Sequence, residues 1–161
     1  MSTRGYVGIR KNEEDKGGYN HFDSYPFSLG ADVIMFLTKT NIEELKQIFI
    51  SLSNEENTNK EDIWDWYGHC INRNAKNYTE FLKDSLFCEW AYIINLDTNC
   101  LEIYKGFNKD VNGNGRYAQY TIYSDEEEPY YGVVLLMEIP IDEIKSGAWK
   151  VTDDDKFVKV K

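Results

Sequence analysis

Apolar residues alternate with polar ones near the start of the chain and again in its second half, and recur at three- and four-residue spacing in between. Tyr6-Val7-Gly8-Ile9-Arg10 and Gly18-Tyr19-Asn20-His21-Phe22 read as the two strands of a hairpin spanning 5–23. The polar stretch 12–17, ending at Gly17-Gly18, reads as their connection, since glycine supplies positive φ. Pro26 disfavours helix at Tyr25, so 23–30 reads as a loop. From about Leu29 the spacing is helical: Val33, Ile34, Phe36 and Leu37 share one face, and Leu45, Ile48, Phe49 and Leu52 another. Asn41 followed by Glu44 is a capping pattern, which predicts a break near Thr40 and a second helix over 42–52. Residues 53–60 read as a loop. A third helical zone is expected over 62–75, with Ile63, Trp66, Tyr67, Cys70 and Ile71 on one side, and a short one over 79–83.

The second half reads as strands. A long aromatic-rich strand is expected over 86–96, a turn at Asp97-Thr98-Asn99, and a returning strand over 100–107. Asp97 suits that turn because its carboxylate can accept backbone N–H groups two residues on. Residues 117–123 alternate as a half-exposed strand does. Residues 131–139 are almost continuously apolar, which predicts a strand at the centre of the sheet. A short helix is expected over 141–144 and an edge strand over 156–160. The expected fold is α+β in a single domain, 1–161: a mainly antiparallel sheet, made of the N-terminal hairpin and the strands of 86–160, with the helical middle segment 29–83 packed on one face.

Charge and cysteine content narrow the function classes. Lys and Arg number 18 against 28 Asp and Glu, a formal charge of −10, which opposes direct binding to a nucleic-acid backbone or an anionic membrane. No stretch approaches the roughly 20 apolar residues that span a bilayer. Cys70, Cys88 and Cys100 are odd in number and show no Cys-x-x-Cys spacing, so neither a disulfide framework nor a zinc knuckle is expected. The first residues lack the apolar stretch of a signal peptide, and a cytoplasmic protein is expected. With two histidines in the chain there is no His-rich metal centre, and no metal or cofactor is expected.

Candidate chemistry gathers around the hairpin. Strand alternation puts Tyr19, His21 and Asp23 on one face, with Phe22 beside Val7 and Ile9 on the other. Arg4, Tyr6 and Arg10 share the face of His21 and Asp23. Ser28 stands where it can cap the following helix, whose free N–H groups suit an anion. These residues predict a site in which Arg4, Tyr6, Tyr19, Tyr25, Ser28 and Glu89 bind a small anionic ligand. His21 and Asp23 would be the acid–base pair for any hydrolytic turnover. Glu89 enters because a carboxylate on an apolar strand needs a partner, and Arg4 or His21 would serve. Asp110-Val111-Asn112-Gly113-Asn114-Gly115 matches the opening of a calcium loop. Its twelfth position is Thr121, not the required Glu, so a plain turn is the better reading. The acidic runs 125–128 and 153–155 read as solvated loops.

Two stretches carry a resemblance: Thr3-Arg4-Gly5-Tyr6-Val7-Gly8 with Tyr19-Asn20-His21-Phe22-Asp23-Ser24-Tyr25-Pro26 and Leu29-Gly30, and later Asp84 through Asp97 with Leu101-Glu102-Ile103-Tyr104-Lys105-Gly106-Phe107. They resemble a group of small uncharacterised proteins scattered through phage, bacterial and fungal genomes, over about half the chain. The resemblance carries no established activity; it implies a setting in the contest between phage and host defence. Two functions are then expected in order. The first is binding of a small anionic, nucleotide-like ligand between the hairpin, the 23–30 loop and the 86–94 strand. The alternative is a non-enzymatic acidic inhibitor that blocks a host protein by mimicking nucleic-acid charge.

Overall fold

The computed structural model describes residues 3–52, 78–123, 125 and 127–161. Five strands form the main sheet: β1 (Gly5–Lys11), β2 (Glu14–Asn20), β3 (Trp90–Asn95), β4 (Cys100–Lys105) and β5 (Val134–Pro140), in the order β2-β1-β3-β4-β5. All neighbours are antiparallel except β1 and β3, which are parallel. Parallel neighbours need a long crossover, and helices α1 (Ala31–Lys39) and α2 (Ile42–Ser51) lie within it. A short helix α3 (Ile141–Lys145) and a separate hairpin, β6 (Trp149–Val151) with β7 (Phe157–Lys159), follow. The fold is α+β with a mostly antiparallel sheet, as the pattern predicts. The helical zone expected over 62–75, with Cys70, lies outside the described residues.

The hairpin turns more tightly than expected. Asn12 and Glu13 form a two-residue turn with φ of 53° and 62°, so Gly17 and Gly18 belong to β2. Asp97 holds this turn: its carboxylate accepts the Asn12 and Glu13 N–H groups at 2.8 and 2.9 Å, not those of its own turn. Asn95 serves there instead, its Oδ1 accepting the Asp97 and Thr98 N–H groups.

Each sheet face has its own core. On one, Val7, Ile9, Tyr92, Ile94, Leu101 and Ile103 meet the apolar faces of α1, α2 and α3. Asn41 caps α2, accepting the Glu44 N–H at 2.8 Å. On the other face no helix of more than one turn is present among the described residues. A 3₁₀ turn (Thr79–Lys83) and the loops of 84–89, 106–123 and 127–133 lay Phe81, Leu82, Tyr117 and Val133 over Tyr6, Tyr19, Ala91, Ile93 and Tyr104.

Several expected strands are corrected. Residues 86–89 are a turn, because the Asp84 carbonyl accepts the Cys88 N–H at 2.8 Å, and β3 begins only at Trp90. Residues 117–123 are loop: Tyr117 and Ala118 insert into the core, and Thr121 is drawn onto the Tyr130 carbonyl. The 131–139 strand begins at Val134 and lies at the sheet edge, not its centre. Asp155 is not merely solvated, since its carboxylate accepts the Phe27 N–H at 3.0 Å. Cys88 is buried and Cys100 half-buried, and both are free thiols. Among the described residues no helix is long and apolar enough to cross a membrane.

Candidate functional site

The loop-covered face carries one polar cluster at each end. The first lies where β1 begins and β2 ends. Pairing of Gly5 with Asn20 and with Trp90 brings Arg4 beside His21 on one side and Glu89 on the other. Arg4 and Glu89 are bound through the backbone: Glu89 Oε2 accepts the Arg4 N–H at 2.9 Å, and the Arg4 carbonyl accepts the Glu89 N–H. The Arg4 guanidinium lies 5.6 Å from the centre of the Phe87 ring and beside Tyr19. Among the described residues no carboxylate forms an ion pair with it.

Tyr19 links Arg4 to the histidine. Its hydroxyl lies 2.6 Å from His21 Nδ1. Burial pushes the Tyr19 phenol above its ordinary value, against the pull of the Arg4 guanidinium, so Tyr19 keeps its proton; with that guanidinium, a donor only, at its oxygen, the hydroxyl hydrogen points to Nδ1. Neutral His21 therefore carries its own proton on Nε2. A protonated His21 also presents Nε2–H. In either state this imidazole offers a donor, which suits an oxyanion better than it suits proton abstraction.

The structure thus brings Arg4, Tyr6, Tyr19, His21 and Glu89 to one face, and leaves Asp23, Tyr25 and Ser28 elsewhere. Asp23 lies beyond the end of β2 with φ 51°, where strand alternation no longer operates, and among the described residues nothing joins it to His21. The expected acid–base pair is not formed. Phe22 is 67% exposed instead of packing beside Val7 and Ile9. Tyr6 is wholly buried, lying against Gly8 and Gly17, so it is a core residue. Tyr25 precedes a single π-turn (Pro26–Gly30) that runs straight into α1. Ser28 lies inside that turn and caps nothing; the residue before α1 is Gly30, whose neighbours Tyr92 and Phe157 belong to the helix-bearing face. The loop itself is firmly held: Asn20 Nδ2 donates to Ser24 Oγ at 2.8 Å, and the Tyr92 hydroxyl donates to the Ser24 carbonyl at 2.8 Å.

The second cluster was not legible in advance. At the far end of the same face, Arg116 forms a bidentate pair with Glu102 at 2.7 and 2.8 Å, and its Nε donates to the Tyr117 hydroxyl at 3.0 Å. Tyr117 donates a short hydrogen bond to Asp15 Oδ2, which also accepts from Arg10 Nη1 at 3.1 Å. Glu102 receives two further donors, Asn95 and the Tyr104 hydroxyl. Burial alone would raise the Glu102 carboxyl, but Arg116, Asn95 and Tyr104 outweigh it and hold it below the ordinary value. The Tyr104 and Tyr117 phenols are pushed well above theirs by burial and by the neighbouring carboxylates. One signal was available: Glu102 interrupts an apolar strand as Glu89 does, and a buried carboxylate calls for a fixed cation.

No family model, curated protein or solved structure matches this chain.

Proposed function

We propose that the protein binds a small anionic ligand at the Arg4–Tyr19–His21 end of the sheet. The observation that carries this reading is the Tyr19–His21 hydrogen bond beside an arginine with no carboxylate partner among the described residues. A guanidinium and an outward imidazole N–H form a donor pair for an oxyanion. Phe22, exposed and stacked edge-on to His21 at 4.4 Å, adds an apolar wall. Turnover is not part of the reading, because the base it would need is the nitrogen that bears the proton. The resemblance to phage-borne proteins implies a use in which the bound anion matters to host defence.

The test is titration of the protein with inorganic phosphate, followed by calorimetry, beside a native mass spectrum of gently purified protein. Arg4→Ala and His21→Ala should abolish binding while leaving the melting temperature nearly unchanged, since truncating such partly exposed groups costs within roughly 0.5 kcal/mol. If both variants unfold the protein, these residues are internal braces and the reading fails. If both bind as the wild type does, the anion sits elsewhere.

A further inference from the structure

The second cluster forms the floor of a cavity. A space of about 430 Å³ opens between the hairpin end, the 3₁₀ turn and the loop around Arg116, walled by Arg10, Asp15, Lys83, Arg116, Gln119 and Tyr120 among others. Ligand sites typically begin at roughly 300 Å³. In a chain of net charge −10, three cations line this one space beside two carboxylates, Asp15 and Glu80.

The three cations differ in how far they are committed. Arg116 has Nε and both terminal nitrogens engaged by Tyr117 and Glu102, so it is fixed in the floor. Arg10 makes a single hydrogen bond, from Nη1 to Asp15, which leaves Nε and Nη2 unused among the described residues. Lys83 makes one ion pair, with Glu80 at 3.0 Å, and lies over the Tyr120 ring at 5.0 Å from its centre. Asp15 is only half satisfied. Its Oδ1 is buried with no hydrogen-bond donor among the described residues and stands 3.7 Å from Arg116 Nη2. Asp15 thus has Arg116 close to Oδ1 while Oδ2 is held by Tyr117 and Arg10, so it keeps a second cation beside it if an anion takes up Arg10. Apolar residues would serve a purely structural need at lower desolvation cost than this buried network.

We propose that this cavity binds a nucleoside monophosphate, with the phosphate on Arg10 and Lys83 and the base against Tyr120 and Gln119. The phosphate matches a guanidinium edge plus an ammonium. The Tyr120 ring, 45% exposed, offers a stacking surface of the kind bases use, and an amide such as Gln119 can meet a base edge. This site is separate from the Arg4 end, so neither stands or falls with the other.

Calorimetry with AMP, UMP and inorganic phosphate tests it. A nucleotide should bind more tightly than phosphate alone. Lys83→Met and Arg10→Gln should each weaken nucleotide binding at least tenfold. Tyr120→Ala should weaken the nucleotide several-fold and leave phosphate unchanged. Lys83 and Tyr120 are partly exposed, so their variants report on binding even if Arg10→Gln fails to fold. Failure of both nucleotides to bind at millimolar concentration would overturn the proposal. So would nucleotide binding that Lys83→Met and Tyr120→Ala leave intact, and if Arg4→Ala abolished it instead, the ligand would belong to the opposite end.

Discussion

The Tyr19 hydroxyl and His21 Nδ1 stand 2.6 Å apart, and this one hydrogen bond decides which nitrogen of the imidazole faces outward with a proton. Tyr19 is almost wholly buried and keeps its proton, and the Arg4 guanidinium, which can only donate, faces its oxygen, so the hydroxyl hydrogen is the one that points to Nδ1 of the neutral imidazole. Nitrogen NMR of the neutral histidine should therefore show the Nε2–H tautomer. In Tyr19→Phe that preference should relax toward a mixture. An Nδ1–H tautomer in the wild type would reverse the assignment and revive His21 as a base.

A buried lysine closes the helix next to the hairpin. Lys16 comes from β2, crosses the helix-bearing face beside the Phe49 ring, and donates to the Phe49 and Leu52 carbonyls at 3.2 and 3.4 Å. These carbonyls lie at the C-terminal end of α2, where the Phe49 carbonyl also accepts the Leu52 N–H at 3.2 Å, and a cation there interacts favourably with the helix dipole. Lys16→Met keeps the stem but removes the donor, and should cost about 2 kcal/mol. Urea unfolding would measure it. An unchanged midpoint would mean that the carbonyls find other donors.

Gly17 shows why part of the hairpin could not be read from pattern alone. In sequence it is a turn residue, because Gly17-Gly18 closes a polar run. In the fold it faces Gly8 across the strands, and a Cβ on it would meet the Val7 carbonyl at 2.4 Å and the Tyr6 hydroxyl at 2.5 Å. It is glycine to admit the Tyr6 ring, a fact that lives in tertiary packing. Gly17→Ala should destabilise by about 3 kcal/mol or more, since backbone atoms cannot give way. A melting curve within a degree or two of wild type would contradict that account.

The parts legible in sequence were those set by local rules. The Asn41 cap, the break at Thr40 and the turn at 97–99 follow from short-range hydrogen bonding, and the structure has all three. Period-two alternation also put Arg4, Tyr6 and Tyr19 on one face, which held while the strands lasted. It misled at Asp23, where β2 has ended, and at 117–123, a loop in which the consecutive residues Tyr117 and Ala118 are both buried and Gln119 and Tyr120 both exposed. The Arg116–Glu102–Asp15 network joins three distant stretches of chain, and no local rule connects them.

Thr121 bears on calcium. It occupies the twelfth position of the loop that opens at Asp110, yet its hydroxyl donates to the Tyr130 carbonyl at 2.6 Å. Asp110 already accepts the Asn112 N–H at 2.9 Å. Millimolar calcium should leave the melting temperature unchanged, because a ligand stabilises only the state it binds. A rise of several degrees that Asp110→Ala removes would show the turn to be a site.

Glu102 sets the acid limit of this face. Its side chain is 3% exposed and its two oxygens take four donors, from Arg116, Asn95 and Tyr104. The carboxyl is held below its ordinary value in the folded protein, so the unfolded chain binds the proton more readily. The sign follows from linkage: the stabilisation is fully present above the ordinary glutamate value, and is lost as pH falls through the lower, folded one. Glu102→Gln takes from Arg116 its bidentate anion, leaving only Asp15 at 3.7 Å, and should cost about 3 kcal/mol at neutral pH. The gap between variant and wild type should narrow on acidification below the ordinary glutamate value, because the unfolded wild-type chain then takes up a proton that the folded carboxyl accepts only at lower pH. Thermal unfolding of both proteins from pH 7 to pH 3 measures it. A gap that stays constant to pH 3 would mean that the cost of Glu102→Gln lies in packing and not in charge.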